Sequence, residues 1–107
     1  MLTLESPKYK RSLLDDWKEI PCGGTVTPQP LHIKVTCYNN SSEEKSVRLR
    51  LTNESRQIIV TTNFQQIQPN EKLLVGMMIP ALDSNAYYSL SFISTSGEFS
   101  NDCQFTI

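Results

Sequence analysis

From Leu31 onward the apolar residues of this chain recur at every second position, which is the period of a β-strand and not of a helix. In Leu31-His32-Ile33-Lys34-Val35-Thr36-Cys37, one face carries Leu31, Ile33, Val35 and Cys37 and the other carries His32, Lys34 and Thr36. After the polar stretch Asn39 to Lys45, Val47-Arg48-Leu49-Arg50-Leu51 repeats the pattern with arginines outward, and Asn53-Glu54-Ser55 supplies a turn. Further strands are expected at Gln57 to Asn63, Lys72 to Ile79, Tyr87 to Ser94 and Glu98 to Ile107, with a short one at Gly23 to Val26. Only Ser12 to Ile20 reads as a helical turn. Strands that are apolar on one face must bury it, and short strands separated by polar turns do so as two packed sheets.

At 107 residues the chain fits one domain with one core. Ten basic against eleven acidic residues, spread without a long run of either sign, leave no electrostatic footprint for a phosphate backbone, so nucleic acid is not an expected partner. No stretch approaches the ~18 apolar residues of a membrane helix, and Met1 to Lys10 lacks an apolar run before a small-residue cleavage site. The expectation is neither membrane insertion nor a signal peptide, in a domain cut from a longer protein. Cys22, Cys37 and Cys103 are odd in number and irregular in spacing, whereas a disulfide framework in a small secreted domain normally shows an even count. Reduced thiols and a cytoplasmic location follow as expectations. Against them stand three formal glycosylation acceptors at Asn39, Asn40 and Asn53.

In Ser84-Asn85-Ala86-Tyr87-Tyr88-Ser89-Leu90, the placement of Tyr88 resembles the corner before strand F of immunoglobulin-like domains, where a tyrosine hydroxyl folds back to the loop backbone. Leu90 stands where antibody domains carry their second disulfide cysteine, and no Trp lies mid-chain to pack on such a bridge. The expected fold class is therefore all-β: an immunoglobulin-like, two-sheet antiparallel β-sandwich of about seven to eight strands with no disulfide. Residues 1–20 read as an N-terminal segment leading into the first strand, and residues 21–107 as the domain.

Catalytic machinery is thin. His32 is the sole histidine, lies mid-strand, and has no nucleophile elbow or Gly-rich phosphate loop nearby. It reads either as a polar residue on a solvated sheet face or as a contact residue beside Lys34, Thr36 and Tyr38. Cys22, His32, Cys37 and Cys103 have the atom types of a zinc site but none of its short paired spacings, so no metal and no cofactor are expected. Asp15-Asp16 and Glu43-Glu44 read as solvated charges.

One segment carries a sharper signal. In Leu13-Leu14-Asp15-Asp16-Trp17-Lys18-Glu19-Ile20, the only Trp and Ile20 are separated by two residues behind two acids. The segment resembles the motif by which autophagy proteins dock on ubiquitin-like modifiers, adding as a β-strand while aromatic and aliphatic residues fill pockets. A structural role for Trp17 inside the sandwich is the alternative. Together with the disulfide-free sandwich and the Asn/Ser/Glu/Lys-rich loops, this segment is similar to the cargo-binding domain of yeast selective-autophagy receptors. That resemblance implies a non-catalytic domain that binds vacuolar α-mannosidase, works in the cytoplasm and reaches the vacuole with its cargo. The binding residues expected are His32, Lys34 and Tyr38, with Trp17 and Ile20 for the modifier. Two other classes remain open: an extracellular adhesion module with glycans at Asn40 and Asn53, and a structural domain of a larger enzyme or coat protein.

Overall fold

The two strongest alternations become the central strands of two facing sheets. In the computed structural model, which describes residues 1–26, 30 and 32–107, the strands are β1 (Leu2–Lys10), β2 (Lys18–Glu19), β3 (His32–Asn39), β4 (Lys45–Asn53), β5 (Ile58–Thr61), β6 (Gln65–Ile67), β7 (Lys72–Met78), β8 (Tyr87–Ser94) and β9 (Cys103–Thr106). Among the described residues there is no helix, and the turn expected between Ser12 and Ile20 ends instead in β2. One sheet runs β2-β1-β3-β7, the other β5-β4-β8-β9 with β6 also on β4, and the pairs are antiparallel. β3 buries Ile33, Val35, Cys37 and Asn39, and β4 buries Val47, Leu49 and Leu51. Leu31, expected on that apolar face, lies outside the described residues. Leu90, Phe92 and Phe105 complete the centre of the core. Truncating Val35, which is wholly buried, to Ala is expected to cost about 1 to 3 kcal/mol through lost transfer energy and a residual cavity, read as a lowered denaturant midpoint.

Residues 1–20 are more than a lead-in. β1 lies between β2 and β3 and contributes Leu2, Leu4 and Tyr9 to the core. Its alternation changes parity because a bulge at Ser6-Pro7 shifts the register between Glu5 and Lys8, where β3 advances only from Thr36 to Lys34. Ser6 takes a left-handed φ of 49° to make it. Before the bulge, the side-chain amide of Asn101 stands in for a neighbouring strand: Leu4 N–H donates to Asn101 Oδ1 at 2.8 Å, and Asn101 Nδ2 donates to Leu4 O at 3.2 Å. A second amide works close by, at the C-terminal end of β3. Fully buried Asn39 donates through Nδ2 to the carbonyls of Glu43, Ile67 and Gln68, joining the β3–β4 loop to the end of β6.

The cysteine reading is corrected by the structure. Cys22 and Cys103 form a disulfide across 81 residues, and only Cys37 is free. The backbone places them together. Val26 N–H donates to Thr106 O at 2.8 Å and Thr106 N–H to Gly24 O at 3.0 Å, so the chain after Cys22 runs parallel to β9, which begins at Cys103. The odd cysteine is thus a core residue, and burial, helped by Glu5 and Glu98, pushes the Cys37 thiol up to about 12. At the opposite end of β9, Asp83 N–H donates to the Tyr88 hydroxyl at 2.8 Å and the Tyr88 ring packs 6.1 Å from that of Phe105.

Thiol titration of the denatured, unreduced protein should therefore count one group, rising to three after reduction, and the native protein should react slowly because its one thiol is buried and protonated. Reduction is expected to lower stability by about 2 to 5 kcal/mol, since an 81-residue span is a long loop to leave open.

The Lys45 ammonium donates to Glu98 Oε1 at 2.6 Å, tying β4 to the β8–β9 connection. That hydrogen bond, reinforced by the Lys45 charge and the N-terminal amine, holds the Glu98 carboxyl below its ordinary value of 4.5. A carboxyl more acidic when folded adds stability that is fully present above its unfolded value and disappears as pH falls through the folded one. On acidification below about 4.5, wild type should lose more stability than Glu98→Gln, as denaturant midpoints at about pH 7 and pH 3 would show.

Candidate functional site

The outward parity of the four-stranded sheet forms a grid set by register. His32 stands between Lys10 on β1 and Met78 on β7, Lys34 between Lys8 and Gly76, Thr36 between Glu5 and Leu74, and Tyr38 between Thr3 and Lys72. Over the His32 end, the β1–β2 connection lays the half-buried Trp17 ring, with Lys34 Nζ 4.3 Å and Lys10 Nζ 4.8 Å from its centroid. Two ammonium groups on one indole hold the ring at this end of the sheet, each contact worth about 0.5 to 1 kcal/mol at an exposed site.

Trp17, His32, Lys34, Leu74, Gly76 and Met78 line one groove. Leu74 and Met78 are 61% and 64% exposed, an unusual burden of apolar surface for one edge strand. Gly76 forms part of the groove floor: a Cβ there would meet only Ile33 O, at 3.7 Å, so the gap beside Lys34 is open space and not a packing necessity. His32 Nε2 is buried and, among the described residues, has no hydrogen-bond partner. A ring nitrogen withdrawn from water without a partner leaves a hydrogen-bonding capacity unmet at the groove.

Of the residues expected from sequence, the structure brings together His32, Lys34 and Trp17 and separates the other two. Tyr38 shares their face but lies about 20 Å from His32 along β3 at the usual rise per residue. Its ring is covered by Lys72 Nζ at 5.4 Å, which also pairs with Glu5 at 3.0 Å. Ile20 is in the core, 4% exposed, and its N–H donates to Pro7 O at 2.9 Å. The two residues between Trp17 and Ile20 form β2, paired with β1, so this segment already serves as an added strand, on its own sheet. Trp17 and Ile20 cannot together fill two pockets of a modifier while the domain is folded.

Leu74, Gly76 and Met78 were not among the expected site residues. Lys72 to Ile79 is apolar at both parities, which reads as a strand buried on both faces. In fact β7 is the edge of its sheet, and that placement exposes the even-numbered apolar residues.

The zinc-type set is taken apart by the same geometry: Cys22 and Cys103 are bonded to each other and Cys37 faces the core, away from His32. Among the described residues no group of three or more His, Cys, Asp or Glu is gathered as metal ligands. The fold and this face define an all-β, sandwich-like domain with an amphipathic sheet surface. No protein-family model matches the chain, and no curated protein matches it in sequence.

Proposed function

We propose that this is a non-catalytic protein-binding domain that recognises a folded cargo enzyme, with vacuolar α-mannosidase as the cargo and selective autophagy or cytoplasm-to-vacuole transport as its setting. The observation that carries the binding role is the Trp17–His32–Met78 end of the four-stranded sheet. There a rigidly held indole, an unpartnered imidazole nitrogen and two exposed apolar side chains meet in one groove. Binding energy at protein interfaces concentrates in such anchors, where a ring already fixed in place loses little entropy on docking. The choice of α-mannosidase rests on the resemblance of the acidic Trp17 segment and the polar loops to autophagy cargo-binding domains, without the disulfide-free core that the Cys22–Cys103 bond overturns.

A second reading is favoured by one observation. A disulfide persists most readily in an oxidising compartment, which supports an extracellular adhesion or receptor module. Of the formal glycan acceptors, Asn39 is buried and Asn53 holds its own turn through Gln57 and Ser55, leaving Asn40 as the exposed one.

Immobilised domain is expected to capture α-mannosidase, and His32→Ala and Met78→Ser to weaken capture at least tenfold while two-dimensional NMR spectra remain those of a folded protein. Such a drop corresponds to about 1.4 kcal/mol, an ordinary loss for one interface anchor. Capture unchanged in both variants would take the groove out of the interface, and no capture by wild type would transfer the assignment to the adhesion module.

A further inference from the structure

The outward parity of the five-stranded sheet is built differently. Arg48 and Arg50 project from β4, opposite Ile93 and Ser91 of β8. Each guanidinium lies on an aromatic ring, Arg48 at 4.7 Å from the Phe64 centroid and Arg50 at 5.3 Å from that of Phe99. Those rings are 42% and 54% exposed, and Tyr87, lining a groove with Arg50 and Phe99, is 58% exposed. Nε of both arginines is buried without a hydrogen-bond partner, and neither guanidinium enters an ion pair among the described residues. Of the two carboxylates lining that groove, Asp102 is held by Ser89 Oγ and Gln104 Nε2, both at 3.1 Å, and Glu54 lies in the β4–β5 turn.

We infer that this face is a second docking surface, separate from the Trp17 groove, for an extended acidic segment of a partner protein. Contact with the Phe64 and Phe99 rings limits how the two guanidinium forks can turn before anything binds, and their Nε atoms are already out of water. A fork so oriented is matched by a carboxylate, which takes two parallel N–H donors at once. Arg48 and Arg50 are alternate residues of one strand, about 6.6 Å apart. Carboxylates on alternate residues of an extended chain repeat at the same distance, so a segment with Glu or Asp at every second position meets both forks in register. Its intervening residues turn away from the sheet, and the exposed phenyl rings flank its stem methylenes. Phosphates of a nucleic acid strand fit less well, because the chain carries a net charge of −1 and offers here only Arg48, Arg50 and Arg56, interspersed with Glu54 and Asp102, and not a basic stripe.

The test is a titration of the isotopically labelled domain with an eight-residue peptide alternating Glu and Ser, followed by two-dimensional NMR at backbone amides and arginine Nε–H groups. Parallel titrations use the Lys/Ser peptide and a thymidine decamer. The Glu/Ser peptide alone is expected to shift Arg48, Arg50, Phe64 and Phe99, with binding that weakens as salt rises. Arg48→Gln and Arg50→Gln should each reduce affinity roughly tenfold, as loss of a charge-assisted hydrogen bond does. Arg48→Lys should weaken it too, because charge remains but the fork is lost, while His32→Ala should bind normally. The wild-type shift map stands whether or not a variant folds. Shifts placed on the His32 face, equal response to the Lys/Ser peptide, preferential binding of the decamer, or no response to the Glu/Ser peptide would each overturn the inference.

Discussion

The strict alternation of side chains along β3 and β4 is the constraint on which the rest of the molecule depends. Each strand sits inside its sheet, so one parity must enter the core: Ile33, Val35 and Cys37 from one side, Val47, Leu49 and Leu51 from the other. The other parity is thereby committed to solvent on two opposite surfaces, His32 and Lys34 on one and Arg48 and Arg50 on the other. Core and faces are a single decision of register. A one-residue slip in either strand would drive cations inward and aliphatic groups outward, and the cost of burying unpaired charge forbids it.

What alternation cannot do is close the ends, and there the structure relies on polar side chains and one covalent bond. Asn101 completes the hydrogen bonding of β1 where no strand reaches it, Asn39 gathers three carbonyls beneath the β3–β4 loop, and the Cys22–Cys103 bond clamps the parallel strip that covers β9. Each is a contact over long sequence distance or across a turn.

This division also explains what was legible in the sequence. β3, β4 and β8 were readable because their period is unbroken, and Tyr88 because its hydroxyl acts within a single corner. β1 was hidden because its bulge changes the parity between Leu4 and Tyr9, which cancels the periodic signal over the whole strand. The disulfide was hidden because a pairing across 81 residues leaves no local trace, and Cys37, a core residue by parity, made the count odd. Within the candidate site, His32 and Lys34 followed from parity alone. Trp17 joins them only through the path of a loop, Ile20 is drawn into the core by β2, and the exposure of Leu74 and Met78 depends on β7 having no outer neighbour among the described residues.

That missing neighbour has a consequence for how the domain behaves in company. Among the described residues nothing pairs with the outer rim of β7, a row of amide and carbonyl groups along Lys72 to Met78 with no proline to interrupt it and a single cation at one end. Natural sheets usually blunt such rims with charge, bulges or a covering loop, because an uncovered one templates any extended chain that meets it. Here Leu74 and Met78 make it apolar as well. A rim of this kind can continue a sheet strand to strand across the boundary between one molecule and the next.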